Sequence, residues 1–409
     1  MLTVISTISW SQVIDEVRWE GIDKSDKEFL ETWIESKKGE ELSWKTISND
    51  ELFLKNLQIF SSVYSSIDST DGIILTYHIT ETHAIVPIVG FGKIDDNFYL
   101  ELGAADFNAF GNTAQIRGKY TLYDRHSFEA YFHNRFINSS KWGVSVNLQK
   151  RSTTEPVYIQ NSSSIYDFDL YVAEVLPGYN INRFLYLQSG LAFLRENYLY
   201  VGLISDGSEL NFPESVTANK WLSKTVLTLD KRSFYYQYVE GFSSQLFIEY
   251  VWSEIDNSTF LKIFNESKYF TRIHDRGNYA SRLRLGLSSN NDNPFPPFVV
   301  DSYVNIRGSG NRIARGSAEL VLNQEYRHTL WENDWGGIQG VGFIDAGAWR
   351  PAGEEFNSLF IESNMLIFTG LGGRFFLKKW YNAFFRADIG VNPLEPESMG
   401  LVLGVGQYF

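Results

Sequence analysis

Beyond Glu81 the sequence keeps a period of two, and that period limits the fold more than any other feature. From residue 84 to residue 409 run about 16 segments of about 10 residues in which apolar and polar side chains alternate, as strands with two different faces require. In NYASRLRLGLS, Tyr279, Leu283, Leu285 and Leu287 fall on one side, and Arg282 and Arg284 on the other. In SAELVLNQEYR, Ala318, Leu320, Leu322 and Tyr326 oppose Glu319, Asn323, Glu325 and Arg327. In WYNAFFRADIGV, Tyr381, Ala383, Phe385, Ala387 and Ile389 oppose Asn382, Arg386 and Asp388. A soluble two-sheet sandwich would bury the apolar face in a shared core. Here the apolar faces carry aromatics toward the strand ends, and full charges stand at mid-strand on the other face. That arrangement suits a lipid-facing wall with interfacial girdles around a wet lumen. At about 20 residues per strand and connection, the segment has the length of an all-β transmembrane barrel of 16 antiparallel strands. No run of about 18 apolar residues occurs, so a crossing by helix is not expected.

The first part of the chain obeys a different rule. VIDEVRWEG alternates as a strand, and SDKEFLETWIESKKG follows with Phe29, Leu30, Trp33 and Ile34 on one helical face. Ser25 and Glu28 have the spacing of a capping box, as do Ser48 and Glu51 at the head of a second helix bearing Phe53, Leu57 and Phe60. SSVYSSI and IILTYHITE then flank an Asp71-Gly72 turn as a hairpin. The expected order is β-α-α-β-β over residues 12–83, a small α+β domain ahead of the barrel at 84–409.

Charge and composition narrow the chemistry. The net charge of -13 is concentrated in the first module, with -8 over residues 12–86 and -5 over residues 87–409. A surface of that sign does not suit nucleic acid. With no cysteine, there is no disulfide framework and no thiol chemistry. The chain shows no G-x-S-x-G elbow, phosphate-binding glycine loop or H-E-x-x-H, and its six histidines are scattered, so neither an enzyme, a metal site nor a cofactor is expected. Residues 1–11, MLTVISTISWS, are uncharged and mostly apolar, and Ser9-Trp10-Ser11 has the small-x-small form of a cleavage site; we read them as the remnant of an export signal.

The order and pattern of residues 12–83, with Asp50, Leu57, Phe60, Val63 and Thr80-Glu81, resemble a single POTRA domain, the periplasmic module of the BamA/TamA superfamily of outer-membrane insertases and translocators. GAADFNAFG (103–111) and LDKRSFYYQYVEGFSSQLFIEY (229–250) are similar to barrel segments of that superfamily. The sharper likeness is Ile306-Arg307-Gly308, which resembles the Val-Arg-Gly signature of the superfamily's long sixth extracellular loop, together with Phe343-x-Asp345-x-Gly347, the companion motif of the thirteenth strand. The resemblance implies that loop 289–313 folds into the barrel. If Gly342, Ile344 and Ala346 face lipid, Phe343, Asp345 and Gly347 face the lumen, within reach of such a loop. A guanidinium paired with a carboxylate offers two parallel charge-assisted bonds, a suitable anchor for Arg307 on Asp345. Gly308 and Gly347 would give the room, and Glu325 and Arg327 would support from the twelfth strand.

The resemblance also implies a seam between the first strand, 84–92, and the last, 400–409, where Ile88, Gly90, Gly404, Gly406 and the final aromatic Phe409 would lie. The glycines suit a gate, and equally a barrel that merely needs a kink. The function implied is assistance in the insertion of outer-membrane proteins or the translocation of a polypeptide client, with capture on the strand 73–81 of the POTRA domain and passage by the seam. The partners would be unfolded outer-membrane or secreted polypeptides, the lipid bilayer and accessory outer-membrane subunits, in a Gram-negative outer membrane. The alternative is a passive or structural barrel subunit of a larger complex.

Overall fold

The sixteen alternating segments form one antiparallel sheet. The structure, a computed structural model, describes residues 12–94, 97–123, 125–159, 162–203, 214–254, 257–290, 296–302, 304–310, 314–380 and 383–409. The export-signal reading at residues 1–11 lies outside the described residues.

The module opens with β1 (Glu16–Glu20), α1 (Lys27–Trp33), α2 (Trp44–Asn56), β2 (Phe60–Asp68) and β3 (Ile74–Glu81). Both helix starts differ from the capping boxes. Asp26, not Ser25, caps α1 by accepting from the Glu28 N–H, and Ser43 caps α2 by accepting from Thr46. Ser48 and Glu51 therefore lie inside α2, and Glu51 instead accepts from the Ser65 amide (2.9 Å) and Lys55 (3.1 Å). An earlier cap wins because α2 gains a turn whose Ile47 enters the core. The sheet order β1-β3-β2 also corrects the client-capture strand: β3 is central, parallel to β1 and antiparallel to β2, so the free hairpin edge is β2. Both helices and the sheet enclose Phe29, Leu30, Phe53, Leu54, Leu75 and Tyr77.

The large sheet runs in chain order through β4 (Ile85–Ile94), β5 (Asn97–Asp106), β6 (Gln115–Tyr123), β7 (Arg125–Asn134), β8 (Trp142–Ile159), β9 (Ser162–Asn180), β10 (Leu185–Leu203), β11 (Ser215–Tyr235), β12 (Tyr238–Ser253), β13 (Ser258–Ile273) and β14 (Gly277–Ser288). A separate two-stranded hairpin, β15 (Phe298–Val300) with β16 (Ala314–Gly316), stands in the long connection. The main sheet resumes with β17 (Ala318–Glu332), β18 (Gly336–Arg350), β19 (Met365–Leu377), β20 (Phe384–Val391) and β21 (Met399–Val405). The alternation holds along the strands. Leu285, Leu287, Leu322, Ile344, Phe385 and Ile389 are exposed on the outer face, while Arg282, Glu319, Asn323, Glu325, Arg327 and Asp345 are buried on the inner one.

The sheet rolls far enough for the chain just before β4 to touch, at one corner, the turn between β19 and β20. His83, just before β4, forms a parallel bridge with Trp380, and its N–H donates to the Lys379 carbonyl at 2.8 Å. Beyond that corner, no backbone ladder joins β4 to β21 among the described residues, so the barrel wall has an open seam.

The module is seated on the short turns at one end of the barrel. Phe136, from the β7–β8 turn, is buried in the module's core, 5.1 Å from the ring of Phe29 and 4.7 Å from that of Trp33. Arg183, from the β9–β10 turn, pairs with the buried Asp50 and reaches Glu35 at 3.1 Å. Asp50 also accepts from the amides of Glu35 (2.9 Å) and Ser36 (2.8 Å), so one carboxylate ties α2, the link between the helices and the barrel rim. Asp26 N–H donates to Gly111 O at 2.9 Å, and Tyr236 N–H to Ser61 O at 3.2 Å.

Candidate functional site

The connection between β14 and β17 doubles back into the lumen, and its tip is built to stay there. Asp301 O accepts from the N–H groups of Asn305 (2.9 Å) and Ile306 (3.2 Å), and Asn305 donates through Nδ2 to Val299 O at 2.7 Å. Gly308 has φ +92°, and a Cβ there would lie 2.7 Å from the Gly390 carbonyl oxygen. Only glycine meets both conditions at once. Gly400 of β21 is packed as closely from the other side, since a Cβ on it would lie 2.8 Å from Gly308 O. The tip therefore lies directly behind the last strand, backbone against backbone.

Ile306, Arg307 and Gly308 converge on Phe343, Asp345 and Gly347. Ile306 packs with Val300, Val321, Trp349 and Phe368, and a Cβ at Gly347 would come within 2.9 Å of its Cδ1. The Arg307 guanidinium forks onto Asp345, Nε to Oδ2 at 2.8 Å and Nη2 to Oδ1 at 2.9 Å, while the Arg307 backbone N–H donates to the same Oδ2 at 3.0 Å. Its remaining nitrogen Nη1 donates to Glu325 at 2.6 Å and lies 4.0 Å from Asp388. The ring of Phe343 lies 3.7 Å from the guanidinium carbon and that of Tyr408 4.3 Å, so the cation has two aromatic rings against it. All three carboxylates and Arg307 are fully buried.

The cluster extends beyond this pair. Asn323 donates through Nδ2 to Asp345 and to Asn305 O, both at 2.7 Å, thereby linking loop and wall. Arg327 pairs with Glu325 and donates to the Phe409 carbonyl at 3.1 Å. Arg374 donates to Asp388 at 2.7 Å, and Arg386 at 3.5 Å. Four guanidiniums thus meet three carboxylates supplied by β17, β18 and β20. Charges buried in such numbers are tolerable only when each carboxylate has several donors. Arg374 and Asp388 stand on β19 and β20, the strands next to β18 in the sheet; alternation places them inward without saying where on the wall the loop tip lands.

The seam residues divide. Ile88 and Gly90 lie on β4 and Gly404 on β21, but Gly404 serves the lumen: a Cβ there would lie 2.6 Å from Arg386 Nε. Gly406 has φ +84° and ends the strand by turning the chain inward. Phe409 is consequently not a seam residue; it sits inside the barrel, its ring centroid 6.5 Å from that of Phe270. A cleft of ≈ 350 Å³ runs between module and barrel to this point, lined by Phe60, Ser61, Tyr236, Phe270, Trp380 and Phe409 among others. Its mouth adjoins the start of β2.

A family model described as POTRA, surface antigen variable number repeat, matches residues 12–82. No curated protein sequence matches the chain significantly. Among solved structures, BamA from Haemophilus ducreyi lacking POTRA domains 1–3 aligns at TM-score 0.57 and 11% identity, over 96% of this chain and 83% of that one. CdiB from Escherichia coli aligns at TM-score 0.59 and 12% identity, over 96% and 75% of the two chains. CdiB from Acinetobacter baumannii aligns at 0.57 and 12%, over 97% and 74%. At these identities it is the fold that is shared. The chain therefore shares the fold of these BamA and CdiB structures, with one module matching the POTRA family ahead of a sixteen-stranded antiparallel sheet.

Proposed function

We propose that this protein handles polypeptide clients in a Gram-negative outer membrane, assisting their insertion or translocation with its POTRA domain in the periplasm. An extended client segment pairs with the free edge of β2, enters by the cleft beside Phe60 and Ser61, and reaches the seam between β4 and β21. The observation that carries this reading is the seam itself: two strands without a ladder between them among the described residues, backed by a loop pinned through Arg307. Backbone groups on such edges have no water to bond within a bilayer, so an incoming strand satisfies them. Accessory outer-membrane subunits fit the same scheme, nucleic acid does not, and no catalytic step is part of it. Depletion followed by quantification of the outer-membrane proteome and secretome tests the proposal; specific loss of a set of proteins is expected, and unchanged profiles would refute it.

One observation favours a second reading. Phe136 and Arg183 fasten the POTRA domain to the rim, as suits a passive or structural barrel subunit. Tethering β4 to β21 through an engineered disulfide separates the two. Client handling would stop, whereas a static conduit would keep the same conductance in planar bilayers.

A further inference from the structure

Strand alternation would carry β21 straight on through residue 409. Instead, Gly406 donates its N–H to Phe384 O at 2.7 Å and, at φ +84°, sends the next three residues into the lumen. Gln407 is held there by Arg374, whose Nε donates to it at 3.2 Å. Tyr408 goes deepest. Its hydroxyl donates to the backbone oxygen of Ser302 in the folded-in loop at 3.0 Å, and its ring lies 4.3 Å from the guanidinium carbon of Arg307, 4.8 Å from Arg386 and 5.0 Å from Arg282. Phe409 follows, its carbonyl accepting from Arg327.

We propose that Tyr408 is a positioning residue that couples the last barrel strand to the folded-in loop, so that displacing β21 at the seam withdraws the ring and hydroxyl that hold Arg307 and Ser302 in place. Two features distinguish this from a side chain that merely fills the lumen. The tyrosine spends its one polar atom on the loop backbone, not on the wall. Its ring is one of the two aromatic rings within 4.5 Å of the Arg307 guanidinium carbon, the other being Phe343, so the cation loses one of its two ring contacts when Tyr408 leaves. The tether is short: only Gly406 and Gln407 separate Tyr408 from the end of β21. A movement of the strand end by a few ångströms therefore cannot be absorbed before it reaches the ring. The linkage is reciprocal by thermodynamic necessity: whatever loosens the loop must loosen the strand.

Hydrogen exchange on the purified full chain in detergent micelles reads both ends without any client, so its outcome is separate from the client-handling proposal. The loop supplies suitable reporters, because the amides of Asn305, Ile306, Arg307 and Ser309 are all bonded. Tyr408→Ala is expected to speed exchange at these amides by about tenfold or more, and Tyr408→Phe, which keeps the ring and loses the hydroxyl, by about threefold, with β8 to β13 unchanged. Arg307→Lys is expected to speed exchange in β21. Wild-type exchange of the loop in Tyr408→Ala would overturn the coupling, and so would a uniform acceleration over the whole barrel. Should Tyr408→Ala fail to fold, Tyr408→Phe with a wild-type loop and Arg307→Lys with a wild-type β21 would overturn it equally.

Discussion

Replacing Arg307 by alanine removes three side-chain bonds from a site with no access to water, and the stability lost depends on what stays behind. Asp345 would keep only Asn323 Nδ2 and the backbone N–H of residue 307, while Glu325 would keep Arg327 and Asp388 would keep Arg374. The stranded group is therefore Asp345, and leaving one buried charge in that condition costs about 3 to 5 kcal/mol. Removing the carboxylate as well relieves the problem. The double variant Arg307→Ala, Asp345→Ala is thus expected to be scarcely less stable than Arg307→Ala, with a coupling energy of about 2 kcal/mol or more. Arg307→Lys keeps the charge but cannot fork onto both oxygens, and should fall between, at about 1 to 3 kcal/mol. The measurement is the urea midpoint of the folded, heat-modifiable barrel in phospholipid vesicles. Strict additivity of the two alanine substitutions, or a wild-type midpoint for Arg307→Ala, would refute the account of the cluster.

Gly308→Ala forces a Cβ onto the Gly390 backbone at positive φ, and is expected to cost about 1 to 3 kcal/mol by the same urea assay, with the loop more open to protease. Arg183→Ala leaves Asp50 with its two amide donors and Tyr77, so the barrel should stay folded while limited proteolysis between the domains speeds up. Glu81 gives a pH dependence. Burial alone would raise its carboxyl, but backbone donors from Lys24, Ser25 and Asp23 outweigh that and hold it below the usual range. A folded pKa under the unfolded value of about 4.3 means that its contribution is complete above that pH and disappears as pH falls through the folded pKa. The protection of the amides at residues 23–25, after correction for the intrinsic pH dependence of exchange, should therefore fall with acidification, and in Glu81→Gln it should no longer change with pH.

What the sequence conveyed follows from which forces are periodic. Alternation alone placed Asp345, Glu325 and Arg327 in the lumen, because a strand's parity is fixed over its whole length. It could not identify Asp388 as a neighbour of Arg307: the two meet only where the folded-in loop lands on the wall, and strand parity says nothing of where a loop lands. Phe136 and Arg183 stand in turns, where no period exists, so their role at the POTRA joint was invisible. Ser48 and Glu51 show the weakness of a local motif, since the capping-box spacing was present but Ser43 started the helix a turn earlier. Phe409, expected at the seam, is instead carried into the lumen by a chain that turns at one glycine with φ +84°.

The placement of Phe136 has a consequence for biogenesis. A fragment comprising only residues 12–82 would be born with a notch where a phenyl ring belongs, between Phe29, Trp33 and Phe53. The module's core is thus completed only by a turn between the fourth and fifth strands of the wall, and cannot be finished before that turn is in place. An order of construction is in this way written into a single aromatic side chain.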